Sequence, residues 1–141
     1  IAALTSTQLN ALTTTNLTLL TTQQIDGLTV TQVADLDTTH FSAVLPEQLN
    51  GFANTQIQAI TTTDMAVLST SQITGVTAAQ IGQMSTDQVN ALDTGVMAAL
   101  STAQMGGLTA AQMTNLITTN FGVLNDWPLQ NSRRRLSFNL L

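Results

Sequence analysis

His40 is the only imidazole in the 141 residues, and with Asp35 and Asp37 beside it in sequence it is the one place where an acid–base pair can be sketched. The position has a plainer use: His40 stands where most of the surrounding repeats place a glutamine that closes a helix cap, and we read it as a substitute capping side chain. The eight acidic residues, Asp26, Asp35, Asp37, Glu47, Asp64, Asp87, Asp93 and Asp126, are scattered over different repeat positions, and none builds the alternating oxygen ligands of a calcium loop. With no Cys there is no disulfide, thiolate metal site or thiol nucleophile. Neither metal-ligand spacing of His and carboxylates nor a glycine-rich phosphate loop occurs. The five Met residues all fall at apolar repeat positions and read as packing residues rather than a cofactor box. The expectation is a protein without catalytic, cofactor or metal residues.

The elements that place these residues follow from a repeat. Residues 5–124 are fifteen gapless octads, written here as positions a to h from Thr5. Position a is Thr, Ser or Asp in twelve of them, and position d is Gln in ten: Gln8, Gln24, Gln32, Gln48, Gln56, Gln72, Gln80, Gln88, Gln104 and Gln112. A hydroxyl followed three residues later by Gln is a capping box. The a hydroxyl accepts from the d backbone N–H, and the d side chain reaches back to the a N–H.

Positions e and h are apolar in every octad, from Leu9 and Leu12 to Phe121 and Leu124. A step of three puts them on one helix face. At ~100° per residue a continuous helix would turn its apolar stripe by about 80° each octad and wrap it around the axis. A cap every eight residues restarts the helix instead, so each octad is expected to be a two-turn helix followed by a sharp bend. A β-solenoid fits less well. Positions e and h have opposite parity along a strand, and b, c, f and g are rich in Ala, Gln and Asn.

The octads differ with a second period. Those whose d residue is not Gln begin at 13, 37 and 61, then at 93 and 117, and the octad after each of the first four carries Gly at g: Gly27, Gly51, Gly75 and Gly107. The 24-residue spacing predicts an all-α solenoid of short capped helices, three per coil, with like types stacked on like. One extra octad interrupts the rotation. Residues 85–92 (STDQVNAL) echo 5–12 (TSTQLNAL), as a duplicated longer unit would. If each coil adds about one helix diameter, ~10 Å, five coils make a rod of about 50 Å.

The repeat domain is taken as 1–124, with Ile1-Ala2-Ala3-Leu4 fitting the second half of an octad, as in a cut through a longer array. Residues 125–141 are taken as a C-terminal cap and tail, with a candidate strand over 136–140. Trp127 beside Pro128 suits a cap that covers the last open layer, and an interface anchor is the other reading. Leu136, Phe138 and Leu140 alternate with polar residues, the pattern of a strand able to pair with another molecule by edge addition; a frayed tail is the alternative. Arg133, Arg134 and Arg135 form either a solvated flank or a patch that pairs with the acidic body of a neighbour. These seven residues are the candidate self-association set.

Net charge is −5 and Lys is absent, so phosphate neutralisation, and with it nucleic acid binding, is not expected. No apolar run is long enough for a transmembrane helix. A chain without Cys or Lys suits an extracellular or cell-surface setting. The octads LTSTQLNAL, LTTQQIDGL and LTAAQMTNL resemble the Thr- and Gln-rich repeats of large secreted bacterial surface proteins, adhesin-like chains among them. That resemblance implies an extracellular, non-enzymatic, structural or adhesive role and carries no site residues with it. Two functions are expected: a self-associating subunit or repeat segment of a filament or surface layer, or an adhesin stalk or module that recognises glycan or ice through ordered Thr and Ser rows.

Overall fold

A computed structural model describes residues 1–124. Each octad is one helix. The first coil is α1 (Ser6–Asn10), α2 (Thr14–Thr18) and α3 (Thr22–Asp26); the second is α4 (Val30–Ala34), α5 (Thr38–Ala43) and α6 (Pro46–Asn50). The third is α7 (Asn54–Ala59), α8 (Thr62–Val67) and α9 (Thr70–Ile73), and the fourth α10 (Ala78–Gln83), α11 (Thr86–Ala91) and α12 (Thr94–Ala98). A fifth holds α13 (Thr102–Gly107), α14 (Ala110–Thr114) and a helical segment from 118 to 124. No strand occurs among the described residues. The candidate strand 136–140 and the cap residues lie outside them.

Caps start these helices as the octad requires. Thr5 Oγ1 accepts from the Gln8 N–H at 3.1 Å while Gln8 Oε1 accepts from the Thr5 N–H at 2.9 Å, and the reciprocal pair recurs at Thr29 with Gln32, Thr77 with Gln80 and Ser101 with Gln104. Each helix ends within two turns because the chain turns extended at h and the next a. Ile60 (φ −61°, ψ 129°) and Thr61 (φ −72°, ψ 157°) show the corner. The octads at Leu45 and Ala53 lack a capping hydroxyl, yet Gln48 and Gln56 still accept from the Leu45 and Ala53 N–H at 2.9 and 2.7 Å. The glutamine half of the box therefore holds without its partner.

Every helix from α1 to α11 packs on the helix three places later, so the coil has three helices and 24 residues. Stacking buries the e and h side chains in one continuous core. Leu9, Leu17, Ile25, Phe41, Leu49, Ile57 and Ile73 are wholly inaccessible. In the last described coil the e residues Met113 and Phe121 remain partly exposed, and no described coil lies above them. The expectation that like stacks on like holds for α2, α5 and α8 and then fails. The interrupting octad puts α11, with Gln88 at d, on α8, and moves the non-Gln type to α12, over α9.

Close stacking explains two of the g glycines. A Cβ on Gly75 would lie 1.8 Å from the Pro46 carbonyl oxygen, and one on Gly107 would lie 2.2 Å from that of Ala78. Neither glycine has positive φ. They are there to let one helix end rest on the first turn of the helix beneath.

Candidate functional site

The d glutamines do more than cap. A primary amide carries an acceptor oxygen and two donor hydrogens, so a capping Oε1 leaves Nε2 free. In the structure that Nε2 crosses to the coil below and donates to the e and h carbonyls of the octad four earlier. Gln48 reaches Leu17 O at 2.9 Å and Leu20 O at 2.8 Å, and Gln72 reaches Phe41 O and Val44 O at 2.9 and 3.0 Å. Gln80 reaches Leu49 O and Phe52 O at 2.9 and 2.8 Å, and Gln104 reaches Ile73 O and Val76 O at 2.6 and 2.7 Å. Short helices leave their last carbonyls without intrahelical partners. From Gln32 onward each d Gln thus satisfies an orphan N–H on its own helix and orphan C=O groups at the corner beneath, forming one rung of a ladder between coils. These side chains are buried, and no buried side-chain polar atom among the described residues lacks a partner.

The exceptions at d show what a rung needs. Asn120 is one methylene shorter and still reaches Val89 O, Asn90 O and Leu92 O at 3.2–3.4 Å. Val96 has nothing to donate. His40 Nε2 bonds Leu12 O at 2.7 Å, taking the place of the Gln amide, while Nδ1 bonds Asp37 Oδ1 at 2.8 Å. A carbonyl and a carboxylate accept only, so both bonds are made together only by the protonated ring, which donates twice. Its pKa is accordingly raised from 6.5, chiefly by the Leu12 carbonyl, with Asp37 assisting against the cost of burial. Asp37 is held below its ordinary 3.8 by the His40 backbone N–H and then by the ring. His40 is therefore brought together with Asp37 as a structural pair in the ladder, and Asp35, the other carboxylate of the sketch, instead accepts from Ser6 Oγ at 2.7 Å.

Where d is not Gln, the a N–H needs another acceptor. At two such octads an f asparagine from the coil below supplies it. Asn10 Oδ1 accepts from the Asp37 N–H at 3.2 Å and Asn90 Oδ1 from the Ile117 N–H at 2.9 Å, while their Nδ2 atoms donate to Asp35 O and Asn115 O. Sequence reasoning missed both this clasp and the downward donation of Gln. The signals were present. A capping box tolerates Glu at d, yet no octad has it, and the Asn10–Asp37 spacing of 27 recurs at Asn90–Ile117.

The outer surface carries the remaining features. The b residues Thr14, Thr38, Thr62 and Thr86 lie on α2, α5, α8 and α11, one above another, with Thr15, Thr39 and Thr63 exposed beside the first three. On the same column the g residues Leu19, Ala43, Val67 and Ala91 form an apolar edge in which Leu19 is 74% and Val67 41% exposed. An open cleft of about 310 Å³ lies at the corner of Asn50, Gly75, Thr77, Ala99 and Ser101. Among the described residues no group of His, Cys, Asp and Glu is placed to hold a metal, and no helix is long and apolar enough to cross a membrane. Trp127, Arg133, Arg134, Arg135, Leu136, Phe138 and Leu140 lie outside the described residues.

Residues 57–94 match the family model of the ALTTAQ repeat, a stretch that runs from α7 to the start of α12. The chain is a repeat protein similar to that family over those residues. No match is found among the curated proteins or the solved structures.

Proposed function

We propose that this chain is a non-enzymatic structural repeat segment of an extracellular bacterial filament or surface layer, and that it acts by self-association. The observation that carries the reading is the ladder. A coil offers amide donors downward and carbonyl acceptors upward, so identical coils add to one another by a single rule. On the first coil Gln8, Asn16 and Gln24 are exposed, with no bond to a carbonyl below. Those donors suit the carbonyl-bearing face of another coil, whether from a second copy or from further octads of a longer chain. The apolar edge of Leu19 and Val67 gives rods a side on which to pack. Absence of Cys and Lys, and the resemblance to secreted surface repeats, support the extracellular setting.

Light scattering and negative-stain imaging of the purified chain at rising concentration are expected to show elongated assemblies built from solenoid-width units. A compact monomer at every concentration would overturn the proposal. The column of Thr14, Thr38, Thr62 and Thr86 favours a second reading, an adhesin stalk or module that binds glycan or ice. An ice-recrystallisation assay and a glycan array on that monomer would then give the positive result.

A further inference from the structure

We infer that Asp64 is a proton-binding rung, a built-in joint whose closure between the second and third coils depends on a proton held by its carboxyl. Asp64 occupies position d of its octad and is 2% exposed. The spacing by which Gln72 reaches Phe41 and Val44 places the Val33 and Leu36 carbonyls beneath Asp64. The Leu36 carbonyl receives no hydrogen bond from any described residue. Asn120, which has the same length as Asp, reaches the equivalent carbonyls at 3.2–3.4 Å, and by that measure a side chain of this length can donate an acid O–H from position d. A carboxylate there would face the acceptors of the coil below, with donors from Thr61 alone, its Oγ1 at 2.7 Å and its backbone N–H, both of which oppose the effect of burial.

The surrounding charges favour the proton. α8 packs on α5, which contributes Asp37 and His40, and under α11, which contributes Asp87; Asp35 lies at the corner below. His40 is the one side-chain cation among the described residues, and its ring is already committed to Asp37 and Leu12 O. Burial raises the Asp64 pKa from 3.8, and Asp37 adds to the rise. The other end of α8 is weakly held as well. Val96 stands where a Gln would reach the Met65 and Leu68 carbonyls, so α8 has an amide rung at neither end. Opening on proton loss is therefore expected at α8 rather than elsewhere in the rod.

The sign follows from the direction of the shift. A carboxyl whose folded pKa is raised costs no stability below 3.8, where both states are protonated, and loses stability as pH rises through the folded value. Thermal unfolding of the wild type and of Asp64→Asn at pH 4 and at pH 7.5 tests this, because Asn donates at every pH. The two are expected to melt together at pH 4 and the variant about 5 °C higher at pH 7.5, a gap equivalent to roughly a tenfold change in the unfolding equilibrium. Equal pH profiles would overturn the inference. Carboxyl 13C titration of the unaltered chain is the second measurement: Asp64 is expected to titrate above 3.8, and titration at or below that value would overturn the proposal even if the variant failed to fold.

Discussion

A glutamine amide with both its ends used joins local structure to the stacking of coils. Its oxygen ends one strain on a short helix, the open N–H at the cap, and its nitrogen ends another, the open carbonyls of the helix corner below. His40 reproduces the second bond with a ring nitrogen, leaves the first to Asn10 and turns its other nitrogen to the Asp37 carboxylate, which makes this rung depend on charge. Because the His40 pKa is raised, its stabilisation is complete below 6.5 and is lost as pH rises through the higher folded value; that of Asp37, whose pKa is lowered, is present above 3.8 and lost in stronger acid. His40→Gln should restore the amide rung to the Leu9 and Leu12 carbonyls. Chemical denaturation across pH 6 to 9 is expected to show the variant losing less stability over that range than the wild type. An unchanged pH slope would show that the ring is not charged in the fold. The place of His40 at position d was legible in the sequence, but the cap expected of it is not made, because the Asp37 N–H goes to Asn10 Oδ1. Its charge was not legible, because Leu12 lies 28 residues away.

Helix stacking sets a different kind of constraint, one of clearance. The end of α9 rests on the first turn of α6, and Gly75 leaves no room for a methyl group against the Pro46 backbone. Gly75→Ala should push these helices apart and destabilise by about 1–3 kcal/mol, the usual range for overpacking. Gly106 is the control. A Cβ there meets nothing within 4 Å, so Gly106→Ala within α13 is expected to stabilise by about 0.5–1 kcal/mol through helix propensity. Denaturant midpoints of the two variants moving in opposite directions would support the stacking account, and a neutral Gly75→Ala would refute it. At this scale the sequence showed much of the result: the two-turn helices, their caps, the buried e and h rows and the three-helix coil all follow from octad spacing. Two things did not. A 24-residue rotation cannot reveal which type meets which once the extra octad shifts it, so α11 on α8 emerges only from the packing. The destination of the glutamine Nε2 is fixed by the pitch of the superhelix, which local periodicity leaves open.

Across the whole molecule, each coil touches only its neighbours, so stability is a sum of coil terms and interface terms. The core supplies the apolar part and the ladder supplies register. A slip of one octad would still bury e and h, whereas it would set His40, Asp64, Val96 and the clasping Asn10 and Asn90 over the wrong corners. The ladder also explains why Gln rather than Glu fills position d: a capping box accepts either, and a rung needs a donor. Gln80→Glu and Gln8→Glu put this to the most direct test, since both keep the box and, of the two, only Gln80 donates to carbonyls of another described coil. Equilibrium denaturation at neutral pH is expected to show Gln80→Glu losing about 2–4 kcal/mol, from a buried charge and unpaired carbonyls, with Gln8→Glu within about 0.5 kcal/mol of the wild type. Equal, small effects at both positions would mean that glutamine only caps its own helix, and would contradict the ladder.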